Sequence, residues 1–99
     1  MNYRLKVEPE AELDLFRAVR AYEAVQRGLG RRFVARVQDV IDRIALNPEI
    51  HAVTYKNVRQ TLVRKFPYTV CYLFDNETVS VIAVVHTRRD AAEWQSRVS

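Results

Sequence analysis

The sequence predicts an α+β fold: an N-terminal strand, an αα-hairpin packed on an antiparallel sheet that ends in a three-stranded meander, and a short C-terminal helix. Three observations predict it. Two long stretches with apolar residues at helical spacing follow one another directly, and three β-rich runs separated by turn-forming residues come after them. Helices grouped ahead of hairpin-connected strands indicate a helix layer lying on one face of a sheet. Finally, 99 residues leave room for one core, since a chain of this length buries roughly two thirds of the surface it exposes when unfolded. Residues 1–99 therefore read as a single domain.

The first strand spans residues 2–7, where Tyr3, Leu5 and Val7 alternate with Arg4 and Lys6. Pro9 suits a first helical residue, because its missing N–H would be unsatisfied there in any case, and Glu10, Glu12 and Asp14 complement the positive end of the helix dipole. Ala11, Leu15, Val19 and Tyr22 then form one apolar stripe, widened by Phe16, while Arg17, Arg20 and Glu23 fall on the wet side. This helix ends near Val25 or Gln26. The link Arg27-Gly28-Leu29-Gly30 contains two glycines that supply left-handed backbone for an αα-hairpin. A second helix over residues 31–46 puts Phe33, Val37, Val40, Ile41 and Ile44 on one stripe and pairs Asp39 with Arg43 on the other side. Asn47-Pro48 stops it, because a residue before proline is pushed out of the α region.

Residues 49–57, including His51 and Tyr55, have no clean period and read as a loop. Residues 58–66 alternate as a strand that Pro67 breaks. Residues 68–74 are almost continuously apolar, which marks a central strand covered on both faces. Asp75-Asn76-Glu77 is a hairpin turn into a β-branched run over 78–85. After Thr87-Arg88-Arg89, Asp90 caps a short helix with Glu93 as its box partner, and Trp94 packs that helix onto the body. The place of the first strand in the sheet does not follow from this pattern.

The formal charge is +4, and residues 55–99 carry seven Lys or Arg against four Asp or Glu, so most of the excess lies in the strand-rich half. A basic surface of this kind favours anionic partners. A single cysteine, Cys71, cannot form an internal disulfide, makes no metal cluster, and sits in an apolar run as a small buried thiol; this fits a reducing cytoplasm. There is no apolar stretch of the roughly 18 to 20 residues that span a bilayer, nor the h-region of a signal peptide. Neither a glycine-rich phosphate loop nor any other cofactor signature occurs.

Five phrases in order, VEPEAELDL (Val7 to Leu15), RGLGRRF (Arg27 to Phe33), ALNP (Ala45 to Pro48), VRQTLVRKFPYTVCY (Val58 to Tyr72) and VIAVVHTRRDAAEW (Val81 to Trp94), resemble the RelE/ParE superfamily of bacterial type II toxins. One departure is Glu8, where many members carry a helix-capping serine. The RKFPY phrase and the HTRRD-plus-Trp ending resemble the ParE branch. That resemblance implies the toxin of a plasmid-stabilising toxin–antitoxin pair that inhibits growth by binding DNA gyrase. It also implies a cognate antitoxin whose helical or acidic segment lies in the groove between helices and sheet. The RelE branch implies a metal-independent endoribonuclease acting on mRNA at the ribosome, and a non-toxic interaction module is the further alternative.

Cleavage of RNA by attack of its own 2′-OH on phosphorus needs a base to take that proton, cations to stabilise the charge developing on phosphorus, and an acid for the leaving oxygen. The candidates for such a site are Arg64, His86 and Arg88, with His86 the group that titrates near neutral pH. No tyrosine follows residue 72, although RelE-type ribonucleases use a late one. As a target- or antitoxin-binding surface the expected set is Arg59, Arg64, Lys65, His86, Arg88 and Arg89, a single patch if the strand ends converge.

Overall fold

The computed structural model describes residues 3–98; Asn2, where the sequence starts the first strand, lies outside them. Strand β1 (Arg4–Val7) leads into helices α1 (Pro9–Val25) and α2 (Leu29–Leu46). Strands β2 (Val53–Tyr55), β3 (Val58–Leu62), β4 (Tyr68–Asp75) and β5 (Thr78–His86) follow, and then helix α3 (Ala92–Gln95) and a 3₁₀ turn (Ser96–Val98). The sheet order is β1-β5-β4-β3-β2. Consecutive strands from β2 to β5 pair antiparallel, while β1 lies parallel to β5 at the edge, a place the sequence pattern left open.

The helical stripes explain the first layer. Phe33, Val37, Val40, Ile41 and Ile44 of α2 are all buried, as their spacing predicts, against Val70 and Tyr72 of β4 and Val79, Val81 and Val84 of β5. On α1 the stripe runs through Ala11, Leu15, Ala18 and Tyr22; Phe16 is 56% exposed and does not widen it, since it projects from the opposite side with Arg20 over its ring. The second face of the sheet carries Val58, Cys71, Ile82, Ala83 and Val85 beneath Trp94 of α3. Strand β4 is thus central and covered on both faces.

The two glycines of the hairpin do different work. Gly28 has φ +85° and turns the chain, whereas Gly30 is already helical and is needed for close approach: a Cβ there would stand 2.8 Å from the Val19 carbonyl oxygen. The Glu23 carboxylate accepts the N–H groups of Gly28 (2.9 Å) and Gly30 (3.0 Å), so one side chain satisfies two free donors at the start of α2. These bonds hold its pKa below the ordinary value.

Four further departures are local. Residues 53–55 form β2, too short and too exposed to show a period, with Tyr55 packed edge-on against Trp94 at 5.7 Å. Strand β3 stops at Leu62, not residue 66, because Lys65 takes φ +70° and the chain reverses early; Phe66 then packs 5.1 Å from both Tyr22 and Phe33. Asp39 approaches Arg36 at 3.9 Å, not Arg43. Glu93 pairs with Arg89 and does not reach back to Asp90, although Asp90 does accept the Ala92 N–H at 2.9 Å.

The bulge in β5 organises the sheet edge. Cys71 opposes Ala83 while Tyr72 opposes Val81, so Ile82 is an extra residue. Val81 and Val84 therefore both face the helix pair, and Ile82, Ala83 and Val85 face Trp94. The Val84 N–H donates to the Asp14 carboxylate (3.0 Å). The Arg97 guanidinium donates to the Ile82 carbonyl (2.9 Å) and to both Asp14 oxygens (2.7 and 3.1 Å).

Two outcomes are expected. Gly30→Ala should destabilise the protein by about 1–3 kcal/mol in urea unfolding through overpacking against rigid helix backbone, where alanine in an open helix would stabilise. Glu23→Gln should be less stable than wild type at neutral pH. Because the folded pKa is depressed, the difference should shrink as pH falls from the ordinary value of 4.5 through the folded value, and thermal melts from pH 7 to 3 measure it.

Candidate functional site

Tyr68 opens β4 opposite His86, the last residue of β5, and its carbonyl accepts the Val63 N–H at 2.8 Å. The ends of β3, β4 and β5 therefore converge. The Thr87 N–H donates to the Pro67 carbonyl at 2.8 Å, which joins the turn carrying Arg64 and Lys65 to the loop carrying His86, Arg88 and Arg89. Arg64, Lys65, Arg88 and Arg89 are all exposed. Four of the five cations proposed from sequence, together with His86, thus lie on one end of the sheet.

Arg59 is the exception. It opposes Tyr72, four residues along β4 from Tyr68 and so about 13 Å away at the rise of a strand. Its guanidinium donates to the carbonyls of Glu49 (3.2 Å) and His51 (2.6 Å), holding the loop that follows α2. The Tyr72 hydroxyl fixes the same loop through the Pro48 carbonyl at 2.7 Å.

His86 is held on two sides. Its Nδ1 accepts the Arg88 N–H at 3.0 Å, so the neutral ring carries its proton on Nε2, and the ring stands edge-on to Tyr68 at 5.3 Å between centroids. Burial pushes the Tyr68 hydroxyl pKa up, with Arg89 acting against that rise, so the phenol stays protonated at neutral pH. Arg89 bonds Glu93 at 2.7 Å, which raises its own pKa and orders the loop.

Two hollows flank His86. One, of about 140 Å³, lies between α1 and β5 and brings in Arg17, Ala18 and Ala21. The other, about 200 Å³, lies on the opposite face near Thr54, Gln60, Thr69, Thr87 and Trp94. Arg17 and Tyr68 are the residues that sequence reasoning did not place here. Spacing puts Arg17 on a wet helix side, and no local signal tells which strand end that side overlooks.

Among the described residues there is no group of three or more His, Cys, Asp or Glu able to hold a metal, and no helix long and apolar enough to cross a membrane. Cys71 is buried and its thiol is pushed up to about 11 by desolvation, which leaves it unreactive at neutral pH.

The fold is that of type II toxins. It superposes on the chromosomal ParDE toxin–antitoxin system of P. aeruginosa with TM-score 0.76 at 12% identity, covering 85% of this chain and 95% of that one. The RelBE2 toxin–antitoxin complex of Mycobacterium tuberculosis gives 0.63 at 19% identity over 87% of this chain and 99% of that one. An E. coli RelE mutant in the free state gives 0.58 at 19% identity, covering 97% and 93%. In sequence, the family described as "ParE toxin of type II toxin-antitoxin system, parDE" matches residues 5–91. Toxin ParE2 of two Mycobacterium tuberculosis strains, CDC 1551 / Oshkosh and ATCC 25618 / H37Rv, is 30% identical across all of this chain and 95% of its own length. The chain belongs to the ParE toxin family of type II toxin–antitoxin systems.

Arg97→Ala should destabilise the protein by about 2 kcal/mol or more, because it leaves the Asp14 carboxylate half-buried with one N–H partner; urea unfolding of the single and double Asp14→Asn/Arg97→Ala variants measures the coupling.

Proposed function

We propose that this toxin slows bacterial growth by binding DNA gyrase through the cationic end of the sheet. A cognate antitoxin neutralises it, its acidic or helical segment laid into the surface groove where the helix pair meets the sheet. The observation that carries this reading is the Thr87–Pro67 backbone bond, which joins two separate basic loops into one surface. Exposed Arg64, Lys65 and Arg88 then act by charge complementarity, which raises association rate and selects partners. Membership of the ParE family and the toxin–antitoxin complexes among the structural neighbours support a toxin with a partner antitoxin. A plasmid-stabilising role in the cytoplasm fits that assignment.

A second reading rests on its own observation. His86, with its tautomer fixed, stands beside a protonated Tyr68 and near Arg89, an arrangement suited to proton transfer in RNA cleavage of the RelE type.

Expression of the chain without antitoxin should arrest growth, while normal growth at verified soluble expression would instead favour a non-toxic interaction module. The purified protein should inhibit gyrase supercoiling and leave transcripts intact on translating ribosomes; codon-phased cuts would establish the second reading in its place. Arg88→Ala/Arg89→Ala should reduce gyrase inhibition at least tenfold with an unchanged melting temperature, and full inhibition by that variant would remove the surface from the mechanism.

A further inference from the structure

The hollow between α1 and β5 owes its existence to the brevity of β1. That strand pairs only with Thr78–Val81, its last bond runs from the Glu8 N–H to the Val81 carbonyl (2.9 Å), and the chain then leaves into α1. Beyond Val81 no strand among the described residues lies beside the outer edge of β5. The Val84 N–H on that edge is taken by Asp14, and Ala18 and Ala21 are too small to fill the gap that remains.

Four hydrogen-bond donors from three segments line this space: Arg17 from α1, Tyr68 from β4, and His86 and Arg89 from the end of β5. Arg17 brings positive charge, and Arg89 brings a guanidinium whose Nη1 also donates to Glu93 at 2.7 Å, so its charge is shared with that carboxylate. The bond from the Arg88 N–H to Nδ1 makes His86 a donor through Nε2, and the protonated Tyr68 hydroxyl adds another. Asp14 also lines the hollow, but both its oxygens accept from Arg97 and one of them also from Val84, so its charge is compensated where it stands. At about 140 Å³ the space is large enough for one tetrahedral oxyanion and its immediate contacts. A carboxylate would engage a single guanidinium in a planar fork; donors spread over three segments suit an anion with acceptors in several directions.

We infer that this hollow is a binding site for one phosphate group, the terminal phosphate of a nucleotide or nucleic-acid strand. It shares His86 and Arg89 with the surface proposed for gyrase. The test contains no gyrase, so failure of one idea leaves the other standing.

The chain has two histidines, and His51 lies against Tyr72 outside the hollow, so it serves as an internal reference. Ring-nitrogen NMR signals of both are followed while inorganic phosphate, adenosine 5′-monophosphate or adenosine is added at constant ionic strength. Inorganic phosphate and the monophosphate should shift the His86 signals saturably, adenosine should not, and His51 should stay still. Arg17→Gln, a change on an exposed helix side, should weaken both affinities at least tenfold with an unchanged melting temperature. No saturable shift, an equal shift with sodium chloride, or wild-type affinity in Arg17→Gln would overturn the site. Binding of inorganic phosphate without the nucleotide would overturn the assignment to a nucleotide end.

Discussion

The contact on which the rest of the molecule depends is the Asp14–Arg97 pair clamped over the bulge of β5. A bulge at an open edge leaves backbone donors and acceptors without ladder partners, and a half-buried polar group without a partner costs about 1–3 kcal/mol. Here the Val84 N–H and the Ile82 carbonyl are taken by side chains 83 residues apart in sequence, and those side chains bond each other. Helix α1, the sheet edge and the C-terminal turn are therefore fixed by one network. The bulge also sets the facing of every later residue. In an unbroken alternation Ala83 and Val85 would face the helices and His86 would face away from them.

The candidate site is a consequence of that register. With Ile82 inserted, Val84 and His86 share the helix-facing side, and His86 meets Tyr68. The second requirement is the early reversal after Leu62. Lys65 in left-handed backbone, Phe66 between Tyr22 and Phe33, and Pro67 offering only a carbonyl together bring the β3–β4 turn to Thr87. Both devices are backbone features, so the basic loops hold their places without help from their own side chains.

The legible parts of the sequence were those governed by local spacing. Both helices, the central two-sided β4, the Asp75–Glu77 turn and the docking of Trp94 follow from period, composition and capping, and the structure has them. Convergence of Arg64 and Lys65 with His86, Arg88 and Arg89 was legible as a condition on strand pairing, which the register meets. What sequence did not carry was long-range or one residue in size. Asp14 reads as a helix-dipole residue and Arg97 as a tail cation, and nothing within either segment reveals the other. Arg59 looks like its fellow cations until its guanidinium is seen to hold loop carbonyls. Gly30 reads as a turn residue because close packing against Val19 has the same one-letter signature as left-handed backbone.

The site divides into two parts with different physical capacities. Arg64, Lys65 and Arg88 stand exposed on turns whose backbone is fixed, and long side chains on such turns keep rotamer freedom. Charges of that sort add attraction over a Debye length of about 8 Å and adapt to a partner, but they do not hold a reacting atom to a fraction of an ångström. His86, Tyr68 and Arg89 are different: each is constrained by a ring contact, a backbone donor or Glu93. If the surface binds as proposed, the exposed cationic rim supplies attraction toward an anionic partner, and the constrained donor cluster behind it supplies discrimination among anionic groups by geometry. On that proposal the rim would account for association with a protein, and the constrained cluster for any finer chemical selectivity.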